Sequence, residues 1–167
     1  MSHIPIAQLA DDARVWIFGA SAPLTADQAR AAREALASYL VEWNRHGEDI
    51  PAAVDVIGER FLIVAADRAA VAGGCSVDRM YRQVRALKES AGAELLDTTL
   101  VFWRDGGSIR SAPRAEFRKL TEQGRAGAST IVFDTTAETL GAIRSGAWEK
   151  RAAESWHAEA FNLAGVS

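Results

Sequence analysis

Two short runs set the terms for any fold this chain can adopt: Val15-Trp16-Ile17-Phe18 within Arg14–Gly19, and Phe61-Leu62-Ile63-Val64-Ala65-Ala66. Both are rich in β-branched, aromatic or aliphatic side chains and both adjoin turn residues, so each reads as a strand. Successive side chains of a strand point to opposite faces of its sheet, so a strand with no polar alternation is apolar on both faces. Such strands belong in the middle of a sheet, and both faces of that sheet must be kept from water. With 49% apolar residues in 167, the chain has the material for one substantial core.

The segments between these runs supply helices and hairpins. Thr25-Ala26-Asp27-Gln28 is a capping box, followed by Ala29, Ala32, Leu36, Leu40 and Trp43 at helical spacing, which predicts a helix from about 25 to 46 closed by Gly47. His46 then falls in its last turn, where an imidazole can meet free carbonyls. Ala53–Ile57 alternates, with Asp55 between Val54 and Val56, so it reads as an edge strand joined by a two-residue Gly58-Glu59 hairpin to Phe61–Ala66. A second helix follows Gly73-Gly74 and runs to about Ala91, with Val77, Met80, Tyr81, Val84, Leu87 and Ala91 on one stripe and Gly92 as its stop. Thr98–Arg104 and Ser108–Ser111 form a hairpin about Asp105-Gly106.

The resulting order, β-α-β-β-α-β plus a hairpin strand, is that of an α+β, ferredoxin-like core, whose first and third strands are expected to lie centrally and in parallel. Its helices occupy one face, and a bare second face costs about 25 cal/mol for each Å². Residues 113–167 offer a cover: a helix capped near Ser111 with Pro113 in its first turn and Phe117 and Leu120 on its apolar side, a strand Thr130–Phe133, and a short helix after Thr135. The other available cover is a second copy of the chain, as a homodimer. The expected organisation is a single domain, 1–167, with a ferredoxin-like core at 14–112 and a C-terminal α/β extension at 113–167.

Charge and motifs exclude several function classes. The 19 Lys and Arg against 22 Asp and Glu leave a formal charge of −3, with no basic excess to hold a nucleic-acid backbone. No Gly-x-x-x-x-Gly-Lys-Ser/Thr, Gly-x-Gly-x-x-Gly or His-Glu-x-x-His occurs, and His3, His46 and His157 share no ligand spacing, so no metal or cofactor is expected. One cysteine permits no internal disulfide and points to a reducing, cytoplasmic compartment; no signal-like or membrane-spanning apolar segment is expected either.

Two segments carry candidate chemistry. Gly73-Gly74-Cys75-Ser76-Val77-Asp78 places a thiol and a hydroxyl at a helix start, where free N–H groups and the dipole favour an anion or a thiolate. The same residues also suit an ordinary helix start, with Ser76 as cap, Asp78 on the dipole and Cys75 as a small hydrophobe. Arg79, Arg82 and Arg85 lie opposite the apolar stripe and can receive a charged ligand. Ser155-Trp156-His157, followed by Phe161, offers an imidazole beside an aromatic ring. A Cys75 nucleophile with His157 as base meets the minimum for a thiol enzyme, if the fold brings the two within ~3–4 Å.

Trp43-x-x-His46, Gly74-Cys75-Ser76-Val77-Asp78, Thr130-Ile131-Val132-Phe133 and Ser155-Trp156-His157 together resemble a family of small bacterial proteins commonly labelled "ABC transporter ATPase", over about residues 15–161. Asp134 stands where that family has asparagine. The resemblance nominates Cys75, Ser76, Asp78, Trp156 and His157; the missing phosphate-binding loop argues against ATP hydrolysis. The expectation is a cytoplasmic, non-ATPase binding or regulatory domain that recognises a small anionic ligand or a protein partner through Ser76, Asp78, Arg79 and Trp156. The alternative is a thiol-dependent hydrolase or transferase using Cys75 and His157.

Overall fold

The computed structural model describes residues 3–69 and 74–163, with backbone alone for Arg45, Gly74 and Cys75. Strand β1 (Arg14–Gly19) leads through helix α1 (Ala26–Val41) and a two-residue ribbon, β2 (Asn44–Arg45) and β3 (Glu48–Asp49), to the hairpin β4 (Ala52–Ile57) and β5 (Phe61–Ala66). Helix α2 (Gly74–Ala91) precedes the hairpin β6 (Leu100–Asp105) and β7 (Ser108–Pro113), which runs into α3 (Arg114–Glu122). The chain then forms β8 (Ile131–Phe133), α4 (Leu140–Arg144), β9 (Glu149–Arg151), a 3₁₀ turn (Ala152–Glu154) and α5 (His157–Ala160). Two antiparallel sheets result besides the ribbon, ordered β1-β5-β4 and β7-β6-β8-β9.

Alternation sorts the first sheet's side chains into two cores. Trp16, Phe18, Leu62, Val64 and Ala66 meet Ala32, Leu36 and Leu40 of α1 and Met80, Val84 and Leu87 of α2. Val15, Phe61, Ile63 and Ala65 meet Phe102 of β6, Phe133 of β8, Leu140 of α4 and Trp148. The Phe61 ring lies 5.0 Å from those of Phe102 and Phe133 and 4.9 Å from Trp148. The far face of the second sheet, with Val101, Trp103 and Val132, packs on Phe117 of α3 and on Phe161. The molecule is therefore layered: helices, sheet, sheet, helices.

Several expectations need correction. β1 and β5 are antiparallel, pairing Val15 with Ala65 and Phe18 with Leu62. Only β5 is central, and β1 is an edge. A central β1 needs a second neighbour, and β6, the strand that would complete a ferredoxin-like order, sits in the second sheet, so the ferredoxin-like sheet is not completed. Its place is taken by a short segment: Val15 N–H donates to Glu138 and Leu140 N–H to Ala13, at 3.0 and 2.9 Å. What makes β1 apolar on both faces is its position between two layers. The second face is covered from within the chain, by β6 as well as by residues 133–148, which removes the argument for a homodimer built on that face.

Local boundaries shift as well. Helix α1 ends at Val41 because the Asn44 amide donates to the Glu42 carbonyl at 3.1 Å and the chain turns back through His46 and Gly47, both at positive φ (52° and 85°). His46 is thus a hairpin-turn residue, exposed, and caps no helix. The β4–β5 connection has three residues, Gly58 to Arg60, and the β6–β7 loop is Gly106-Gly107, with Asp105 still paired to Ser108. Ser111 lies within β7, and Pro113 precedes α3. The Thr25 capping box forms as expected, and Gly92, at φ 70°, ends α2 with its N–H on the Lys88 carbonyl.

Candidate functional site

The C-terminal segment brings together what the sequence nominated there. The Ser155 hydroxyl lies 2.7 Å from His157 Nδ1 and also accepts the His157 backbone N–H at 3.3 Å. The imidazole stacks on Trp156 with centroids 3.8 Å apart, and Phe117 and Phe161 close around it. It is fully buried, and Nε2 has no partner in either tautomer. Burial pushes its pKa down to about 4, against the pull of the Asp134 carboxylate and with the push of Arg114. A neutral, enclosed ring held this way is a packing element with one unsatisfied atom; a base for an external substrate needs an open nitrogen.

Trp156 also lines a cleft of about 340 Å³. Phe18, Tyr81, Phe102 and Trp156 supply aromatic wall, and Thr135, Thr136, Asp97 and Arg114 supply polar groups. The cleft opens where the end of β1, the middle of α2, the start of β6 and the start of α3 converge. Gly19 shapes it, because a Cβ there would lie 2.2 Å from the tip of the Phe102 ring, so only glycine lets that ring approach β1 so closely. The Arg114 guanidinium sits 5.0 Å over the Trp156 ring, and Trp156 Nε1 is buried with no partner. The Asp97 carboxyl is held below its ordinary range by the Thr99 hydroxyl and amide. Behind the cleft, burial works to raise the Asp134 pKa, but hydrogen bonds from Thr136 and Lys150 prevail and lower it.

The start of α2 lies elsewhere. Ser76 is the third residue of the helix and does not cap it; its carbonyl accepts the Tyr39 hydroxyl at 2.7 Å. Burial raises the Tyr39 pKa, opposed by the charge of Arg79. Asp78, Arg79, Arg82 and Arg85 are exposed, and neither Ser76, Asp78 nor Arg79 lines the Trp156 cleft. Gly73 and the Cys75 thiol fall outside the described residues, so the Cys75 and His157 pairing gains no support. Among the described residues no group of three His, Cys, Asp or Glu side chains could hold a metal ion, and no helix is long and apolar enough to cross a membrane.

Of the nominated residues whose side chains are described, Trp156 alone lines this cleft. Arg114, Tyr81 and Phe102 belong to a helix start, an apolar helix stripe and a strand, and no spacing in the sequence couples positions so far apart. No family model, curated protein or solved structure matches the chain.

Proposed function

We propose that the protein is a binding or regulatory domain without ATPase activity, which holds a small anionic ligand bearing an aromatic body in the Trp156 cleft. The observation that carries this reading is the conjunction, in one cleft, of four aromatic rings and the Arg114 cation, which lies 5.0 Å over the Trp156 ring. Aromatic wall supplies contact area at little entropic cost, and a few convergent polar groups orient what binds. The reading places recognition at Trp156 and Arg114 and leaves the start of α2 to helix packing. It also fits a cytoplasmic protein with neither nucleic acid nor membrane as partner.

The test is the thermal midpoint in a panel of nucleotides and aromatic carboxylates. A ligand at one hundred times its Kd adds about 2.7 kcal/mol, a rise of several degrees, and Arg114→Gln and Trp156→Phe should each remove most of it. A midpoint unmoved by every member of the panel would leave a protein partner as the better reading. The thiol-enzyme alternative requires fast alkylation of Cys75 at neutral pH that His157→Ala abolishes; the enclosed ring of His157 favours ligand binding over it.

A further inference from the structure

Arg60, the last residue of the β4–β5 turn, is only 5% exposed, yet no carboxylate among the described residues forms an ion pair with it. Its Nη1 donates to the Ile109 carbonyl at 3.3 Å and its Nη2 to the Ser111 hydroxyl, while the guanidinium lies 5.8 Å over the Phe102 ring. Nε is buried with no partner. Buried charges are ordinarily paired, because removing an ion from water without compensation is costly.

A groove of about 540 Å³ lies beside this cation, between the Ser21–Pro23 loop, β7 and α3. Ser111, which receives Nη2, and Ser21, whose carbonyl accepts the Ser111 hydroxyl at 3.1 Å, are both in its wall. Lys119, also in the wall, has no carboxylate partner among the described residues, whereas Arg110 is held by Asp105 at 2.6 Å. Among the described residues Glu116 is the one acidic side chain lining it, so positive charge prevails. Trp103, Ile109 and Leu120 make the remainder apolar. This groove shares no lining residue with the Trp156 cleft.

We propose that the groove is a second ligand site, for an organic oxyanion: a phosphate monoester or carboxylate carried on an apolar body. Nη1 and Nη2 of Arg60 each keep a second N–H beyond the bonds they make. The oxyanion takes these together with the Lys119 ammonium, and the apolar body lies along Trp103 and Leu120. Such a ligand supplies the counter-charge that the fold withholds from Arg60.

The experiment titrates ¹⁵N-labelled protein at constant ionic strength with phenyl phosphate, benzoate and benzyl alcohol, following the Arg60 Nε–H and Trp103 indole N–H signals. Saturable shifts are expected with phenyl phosphate or benzoate and none with the neutral alcohol; which anion binds tighter tells phosphate from carboxylate recognition. Lys119→Gln, an exposed change that leaves folding intact, should weaken binding about threefold, and Arg114→Gln should leave it unchanged. Absence of a saturable shift with both anions, or a Lys119→Gln chain that binds as tightly as the parent, would overturn the proposal.

Discussion

Burial keeps His157 neutral down to about pH 4, whereas in the unfolded chain the same ring takes up a proton near pH 6.5. Between those values the unfolded state binds more protons, so stability rises with pH there. The contribution is complete above about pH 6.5 and is lost as pH falls through about 4; it amounts to roughly 3 kcal/mol at its limit. Urea midpoints measured from pH 4 to 7 should fall on acidification, and His157→Phe should flatten the profile. The lowered carboxylates act at the acid end of that window and below it, since their ordinary values are 4.5 for Glu94 and Glu138 and 3.8 for Asp97 and Asp134. A second residue-scale outcome concerns Gly19. Gly19→Ala drives a methyl into the Phe102 ring, which Phe61 holds at 5.0 Å from the other side. Overpacking of this kind costs about 1–3 kcal/mol; the denaturation midpoint should drop with an unchanged m-value, and ligand binding in the Trp156 cleft should weaken as its floor shifts. Nothing in the sequence marked Gly19 beyond its place at a strand end, because the ring it admits is 83 residues away in the chain.

At the scale of the element, α1 shows what local chemistry determines. The Thr25 hydroxyl accepts the Gln28 N–H at 3.1 Å and the Gln28 side chain returns to the Thr25 N–H at 3.0 Å, a reciprocal pair written in four consecutive residues and therefore readable. Thr25→Ala should cost about 1 kcal/mol, measured as a lower urea midpoint. The other end of α1 was not readable in the same way. Trp43 keeps helical spacing, but its burial against Trp16, with rings 5.9 Å apart, is satisfied from a chain that has already left the helix for the β2–β3 ribbon. A buried residue at the right spacing is compatible with either path, and only the Asn44 amide and the left-handed turn at His46-Gly47 distinguish them. Similarly, β8 and β9 have three residues each; strands so short carry little period-two signal, and β9, with Glu149 and Lys150, carries no apolar run at all.

At the scale of the whole molecule, the two-sided strands stated correctly that both faces of the first sheet are covered, and left open by what. Leu100–Trp103 has the same two-sided character as β1, with Leu100 and Phe102 toward the first sheet and Val101 and Trp103 toward α3. Which of the two adds to the first sheet and which seeds a second is decided by pairings remote in sequence, such as Trp103 with Val132, and no local pattern encodes them. The layering makes a prediction about the expected boundary near residue 112. A chain ending at Pro113 keeps β1, β4, β5 and both long helices but loses Phe133, Leu140 and Trp148 from the core that covers Phe61 and Ile63. Each large side chain returned to water costs about 1.5–3 kcal/mol, a large part of a domain's net stability. The truncated chain should therefore unfold without a cooperative transition or associate through the exposed face, whereas the full chain should scatter light as a species of 18.0 kDa. A truncated chain that melts cooperatively as a monomer would show that residues 14–112 carry a self-sufficient core and that the second sheet is an attachment to it.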